Sequence, residues 1–199
     1  MRKDQILILS VLIMLAISCG DDQTTSGDRY FRTGEYKKAI EAYNGYLEMK
    51  PKSIKTIYNR GRAYEELGEY DKALEDFMLV TELDENNDNA WLSIGNYHFR
   101  NEVFDKASLY FDKAININNR NAMAHYLKGR VSHLQGHFKD ASESYSSAIS
   151  VDHQLGEAYL YRGAVRIKMN RRSGACEDFR MARNLDVPEA SEAIDQYCK

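Results

Sequence analysis

The chain has 199 residues and a formal net charge of −3 at pH 7, with 43% hydrophobic and 29% charged residues. This length suits one domain. The mildly acidic balance, with no basic stripe along the sequence, argues against DNA or RNA as a partner.

The first residues differ from the rest of the chain. Arg2 and Lys3 precede an apolar stretch, Ile6 to Ile17, that ends in small residues. A positive start, a short apolar centre and small residues near the end are typical of a secretory signal, and a membrane-spanning helix needs about 20 apolar residues. Residues 1–18 are therefore predicted to be removed, which leaves a mature chain with a charge of −4.

The end of this signal indicates a lipid anchor. Residues 16–19, Ala-Ile-Ser-Cys, resemble a bacterial lipobox, and the resemblance implies that Cys19 carries lipid. Gly20-Asp21-Asp22 resembles the export signals of Bacteroidetes surface lipoproteins. Residues 19–25 are then a short tether, and the protein is expected in the bacterial envelope, at the periplasmic or surface face of the outer membrane. The alternative is an ordinary signal peptide with an incidental cysteine.

Beyond the tether, the sequence repeats with a period of 34 residues. Four columns keep this step, and each holds one kind of side chain. The glycine column is Gly27, Gly61, Gly95, Gly129 and Gly163. The alanine column is Ala39, Ala73, Ala107, Ala141 and Ala175. The aromatic column is Tyr43, Phe77, Phe111, Tyr145 and Phe179. The apolar column is Met49, Leu83, Ile117, Val151 and Leu185. A period of this length predicts a solenoid of helix pairs.

These columns resemble the tetratricopeptide repeat (TPR). The resemblance implies an all-α, right-handed solenoid of five helix-turn-helix repeats, and it implies a non-enzymatic scaffold that holds a protein or peptide partner in its concave groove. The repeats fall at 20–53, 54–87, 88–121, 122–155 and 156–189, so that the array occupies residues 26–189 after the tether. Residues 190–199 form a capping helix, and Ala190, Ala193, Ile194 and Tyr197 share one side of it.

The first repeat is degenerate, and its first helix is predicted to begin near Thr25 or Ser26 and to end at Gly34. Gly68 and Gly136 fall just past the first helices of their repeats, where a left-handed residue ends a helix. Asn101 is predicted to take this role in the third repeat.

Three cysteines are present, and the lipid site would use one of them. Cys176 and Cys198 remain as an even pair in an oxidising compartment, on the neighbouring ends of two antiparallel helices. We predict a disulfide between them, which would hold the last helix in place. Two separate free thiols are the alternative.

No catalytic or cofactor-binding motif is found in the sequence. His133 and His137 have the i, i+4 spacing of metal ligands, but Gly136 separates them, so we predict no metal site and no cofactor. The carboxylates, Asp76 among them, are predicted to lie on solvated helix faces beside lysines. An enzyme is not expected.

A binding surface therefore remains as the functional feature. In the related repeats, the first helices line the groove through positions 2, 5, 9 and 12. Aromatic, arginine, asparagine and apolar residues at these positions suit interface anchors. The predicted groove residues are Tyr58, Arg62, Asn96, Phe99, Tyr126, Arg130 and Leu160. The partner is expected to be membrane-associated and the protein a monomer. The alternative is a glycan- or peptidoglycan-binding lipoprotein in which Tyr58, Phe99 and Tyr126 stack on sugars.

Overall fold

The protein is described by a computed structural model over residues 26–199. Within these residues the only regular secondary structure is α-helix, as predicted for the fold class. Helix α1 is described over residues 26–32. The other helices are α2 Tyr36–Met49, α3 Ile54–Glu66, α4 Tyr70–Leu83, α5 Asp88–Arg100, α6 Phe104–Ile117, α7 Ala122–Leu134, α8 Phe138–Val151, α9 Gly156–Lys168, α10 Arg172–Asn184 and α11 Ala190–Tyr197. The predicted signal, Cys19 and the tether lie outside the described residues.

By their contacts, the helices divide into two compact units. The first unit ends at Glu85 and contains α1 to α4, and the second runs from Asn86 to Lys199 and contains α5 to α11. The core of the first unit includes Ala39, Ile40 and Tyr43. The main core of the second unit is built from α7 to α11.

The glycine and aromatic columns meet inside each helix pair. A Cβ atom placed on Gly95 would lie 2.6 Å from the Phe111 ring, and one on Gly129 would lie 2.7 Å from the Tyr145 ring. Both distances are shorter than carbon atoms tolerate, so glycine alone lets the second helix bring its aromatic ring this close. The 34-residue period thus reflects one packing contact, between a glycine and an aromatic ring, that occurs once in each helix pair.

The turns within the repeats require left-handed backbone. Gly68 and Gly136 have φ of 76° and 79°, as a helix-ending residue needs. The prediction for Asn101 is wrong, because Asn101 has φ of −87° and the left-handed residue is Glu102, with φ of 58°. Glu102 stands 34 residues after Gly68, so the period fixes the backbone conformation even where the side chain does not favour it.

Buried ion pairs connect the two helices of some repeats. The Arg60 guanidinium binds both carboxylate oxygens of Asp76, at 2.6 and 2.9 Å, and Asp76 is only 5% exposed. The prediction of a solvated Asp76 is therefore wrong, because the carboxylate faces α3 rather than water. Arg162 and Asp178 form the same bidentate pair in the fifth repeat.

The C-terminal helix α11 packs its less exposed side against α10. The rings of Phe179 and Tyr197 stack with centroids 6.2 Å apart, and the Arg172 guanidinium donates to the backbone carbonyls of Tyr197 and Lys199. The Cα atoms of Cys176 and Cys198 are 5.7 Å apart, and their sulfur atoms are at bonding distance. In the part of the chain described here, no helix is both long and apolar enough to cross a membrane.

Candidate functional site

The first helices of the second unit bring four of its aromatic and arginine side chains together. α7 contacts both α5 and α9, so these three helices share one face. Phe99 comes from α5, Tyr126 and Arg130 from α7, and Tyr161 from α9. We call these four residues the Arg130 cluster.

Arg130 is the centre of this cluster. Its guanidinium carbon lies 4.3 Å from the ring centroid of Tyr161, 5.6 Å from that of Phe99 and 5.9 Å from that of Tyr126. One guanidinium N–H donates to the Tyr126 hydroxyl at 3.2 Å. No carboxylate among the described residues lies within ion-pairing distance of Arg130. The cluster thus holds a half-buried positive charge that only aromatic rings and a hydroxyl surround.

His133 adds no second charge at neutral pH. Its ring packs edge-on against Tyr161, with centroids 6.4 Å apart. Burial, together with the positive charges of Arg130 and Lys168, lowers the pKa of His133 below its ordinary value of 6.5. The imidazole is therefore mostly neutral at pH 7, and the positive charge of the cluster belongs to Arg130.

A buried tyrosine lies behind the cluster. Tyr145 is fully buried, and its ring lies 6.1 Å from Tyr126 and 6.2 Å from Tyr161. Its hydroxyl has no hydrogen-bond partner among the described residues. Burial raises the pKa of Tyr145 well above its ordinary value of 10.0, so the hydroxyl keeps its proton and remains a donor.

The other predicted groove residues are not members of this cluster. Asn96 is half-buried on α5, and Leu160 on α9 packs against the main core of the second unit. In the first unit, Tyr58 packs against Phe77 with ring centroids 5.5 Å apart. Arg62 lies 4.8 Å from the Phe31 ring centroid, beside an open pocket of about 430 Å³.

Sequence reasoning missed Tyr161, which belongs to the cluster although it lies at position 6 of its repeat. The sequence held a signal for this contact. Arg130 is at position 9 of the fourth repeat and Tyr161 at position 6 of the fifth, and this spacing of 31 residues joins neighbouring first helices. His133 and His137 lie on different sides of a turn, since α7 ends at Leu134 and α8 begins at Phe138. Among the described residues, no group of three or more potential metal ligands occurs.

Comparison with known proteins identifies the repeats. A family model described as tetratricopeptide repeat matches residues 54–87, and another described as TPR repeat matches residues 27–68. The protein is a TPR protein. Proteins of this scaffold family bind protein or peptide partners and are generally non-catalytic. No curated protein sequence matches the chain.

Solved structures share the fold of this TPR protein. A crystal structure of MamA protein is 25% identical, with a TM-score of 0.70, and the match covers 86% of this chain and 94% of that one. YrrB, described as a TPR protein with an unusual peptide-binding site, is 18% identical with a TM-score of 0.67 over 87% of this chain and 90% of its own. A thermophilic TPR protein of Thermus thermophilus, TTC0263, is 18% identical with a TM-score of 0.67 over 90% of this chain and 97% of its own.

Proposed function

We propose that this TPR protein is a lipid-anchored adaptor of a bacterial cell envelope that binds a protein or peptide partner on the face formed by α5, α7 and α9. The observation that carries the proposal is the Arg130 cluster. Aromatic residues and arginine are the side chains most enriched among residues that dominate binding energy at protein interfaces. Here they meet on the helices that TPR proteins use for partners, around an arginine with no carboxylate of its own.

The N-terminal sequence supports the envelope location. With a lipid on Cys19, the chain from Cys19 to the first helix at residue 26 would span at most roughly 25 Å when fully extended. The first helix would therefore lie close to the membrane. A partner that is itself membrane-associated would then meet the adaptor at high local concentration. Replacing Cys19 by Ser should move the protein from the membrane fraction of its host to the soluble fraction. Retention in the membrane fraction would contradict the anchor.

Photo-crosslinking in the host tests the binding face. A photo-reactive residue at Met123, which is 42% exposed in α7 and lies three residues before Tyr126, would report on a partner without altering the cluster. The matched control is the same residue at Leu109, 54% exposed on the second helix α6. We expect one dominant protein adduct at Met123, lost with Arg130→Ala and absent at Leu109. Equal adducts at both positions would place the partner elsewhere.

The glycan alternative receives less support from the site. Stacking on a sugar needs an open ring face, whereas Tyr126 is only 8% exposed and Arg130 covers rings of the cluster. Calorimetry with soluble peptidoglycan fragments separates the two functions. Saturable heat at millimolar concentration that Arg130→Ala leaves unchanged would favour glycan binding at another surface.

A further inference from the structure

Where the first repeat meets the second, the structure has a complete version of a polar arrangement that is present only in part where the fourth repeat meets the fifth. In the first repeat, the buried hydroxyl of Tyr43 donates to Asp28 Oδ1 at 2.9 Å. Asn59 Nδ2 donates to the same oxygen at 2.9 Å, and Lys55 Nζ donates to Asp28 Oδ2 at 3.0 Å. The Asp28 carboxylate thus satisfies three donors, one of them a tyrosine hydroxyl that is shielded from water.

The same columns recur 102 residues later with different chemistry. Tyr145 stands in the place of Tyr43, Arg130 in the place of Asp28, and Tyr161 in the place of Asn59. The carboxylate is therefore replaced by a cation, and the Tyr145 hydroxyl is left without an acceptor. Glu157 takes the column of Lys55, so the positive charge of this arrangement comes from Arg130 alone.

Donors at this site outnumber the acceptors. The guanidinium has five N–H groups, and the structure shows one of them donating to another side chain, the Tyr126 hydroxyl. The Tyr126 hydroxyl accepts that bond and keeps its own proton for donation, and Tyr145 adds a buried donor. A ligand that completes the arrangement must bring acceptor oxygens and a negative charge.

We propose that the carboxylate of a bound peptide, from an acidic side chain or from its C-terminus, supplies beside Arg130 the acceptor oxygens that Asp28 supplies beside Tyr43. The inference rests on the proposed function, because it names the chemistry that the partner presents to the Arg130 cluster. The Arg130 side chain turns away from the Tyr161 ring to admit the ligand, since the Tyr145 hydroxyl is buried beneath the cluster. The carboxylate then accepts from Arg130 and Tyr145.

The charge of the site favours a carboxylate over a phosphate. Arg130 supplies a single positive charge, which one carboxylate neutralises. A phosphorylated side chain carries about −1.5 to −2 at pH 7 and would leave an excess negative charge next to buried rings. Glu157, on the neighbouring helix, would add to that excess.

Peptide selection followed by a double-mutant cycle tests the inference. The mature chain with Cys19→Ser is panned against random eight-residue peptides, half with a free C-terminal carboxylate and half amidated. Each binder is then compared with versions in which its acidic side chains are changed to amides or its C-terminus is amidated. Each peptide is titrated against the wild-type protein and against its Arg130→Gln and Tyr145→Phe variants. Phenylalanine is the natural residue of this column at Phe77, Phe111 and Phe179, so Tyr145→Phe preserves the fold.

The matched control is Arg62→Gln. Arg62 occupies the position of Arg130 in the second repeat and also stacks on an aromatic ring, but the residue behind it is Phe77, which has no hydroxyl. Tyr43 lines the same pocket as Arg62, but its hydroxyl already donates to Asp28, so this site has the cation of the proposed site without an unpaired buried hydroxyl.

We expect the selected peptides to share one carboxylate whose removal weakens binding roughly tenfold or more, as loss of a charge-assisted hydrogen bond predicts. Arg130→Gln and Tyr145→Phe should each make binding insensitive to that removal, whereas Arg62→Gln should not. Two results would overturn the inference and leave the proposed function standing. One is peptides whose affinity does not change when the carboxylate is removed. The other is a dependence on the carboxylate that is lost with Arg62→Gln but kept with Arg130→Gln. Tighter binding of phosphopeptides than of their carboxylate counterparts would also overturn it. The absence of any peptide binder would count against both.

Discussion

At the scale of single residues, loss of the hydroxyl should change the stability of the protein in opposite directions at two buried tyrosines of the same column, Tyr43 and Tyr145. Tyr43→Phe removes a hydrogen bond to the Asp28 carboxylate and should lower the free energy of unfolding by about 2 kcal/mol. Tyr145→Phe removes a buried hydroxyl without a partner and should raise it by about 1 kcal/mol. Urea unfolding of the two variants measures both changes. Similar losses in both would show that the Tyr145 hydroxyl has an acceptor in the free protein.

The Asp28 carboxylate should make stability depend on pH. Burial alone would raise its pKa, but hydrogen bonds from Lys55, Tyr43 and Asn59 outweigh burial and hold the pKa below its ordinary value of 3.8. A pKa lowered by folding means that the charged form stabilises the native state, fully above pH 3.8 and progressively less below it. The difference in unfolding free energy between wild type and Asp28→Asn should therefore be larger at pH 7 than at pH 3. An unchanged difference would argue against the network.

At the scale of the helix pair, the turn at Glu102 carries a conformational cost that glycine would remove. A side chain in left-handed backbone costs about 1 kcal/mol relative to glycine, so Glu102→Gly should raise the free energy of unfolding by about that amount. Glu102→Ala is the control, since it removes the carboxylate but keeps a Cβ atom in the same conformation. If alanine stabilises as much as glycine, the effect comes from the side-chain charge and not from the backbone.

Helix pairs were the feature that the sequence predicted best. Gly95 and Phe111 meet because one fills the space that the other leaves, and such a contact constrains residue type strongly enough to appear as a column. The buried ion pairs between the two helices of a repeat were not predicted, because charged side chains are usually exposed. Arg60 with Asp76, and Arg162 with Asp178, nevertheless share one spacing of 16 residues in two repeats. That shared spacing was the signal for a bond between the two helices.

The candidate site was predictable only in part, for a related reason. Phe99, Tyr126 and Arg130 were named from the positions that related repeats use, and the structure brings these three together. Tyr161 escaped because its contact with Arg130 joins different positions of two successive repeats. The missing acceptor of Tyr145 depends on which residue faces the hydroxyl in three dimensions. No single column of the sequence contains that information.

At the scale of the whole molecule, the two ends of the chain point to one compartment. The proposed signal and lipid anchor would take the protein out of the cytosol, to a compartment where disulfides persist, and Cys176 and Cys198 are placed to form one. A bond that closes a sequence separation of 22 residues should stabilise the protein by about 3 kcal/mol in the chain-entropy model. Reduction should thus lower the denaturant midpoint, and hydrogen exchange should increase first in α11.

The variant with both Cys176→Ser and Cys198→Ser provides the control, because its unfolding should be insensitive to reductant and should match that of the reduced wild type. Arg172 and Tyr197 would still hold α11 in this variant, through the guanidinium bonds to the last carbonyls and the stacked Phe179 ring. α11 should therefore be helical but exchange faster than in the oxidised protein. Maleimide labelling of the protein isolated from its host, under denaturing, non-reducing conditions, counts the free thiols directly. Labelling at both Cys176 and Cys198 would contradict the bond, whereas labelling at neither would agree with it and with an oxidising location for the mature chain.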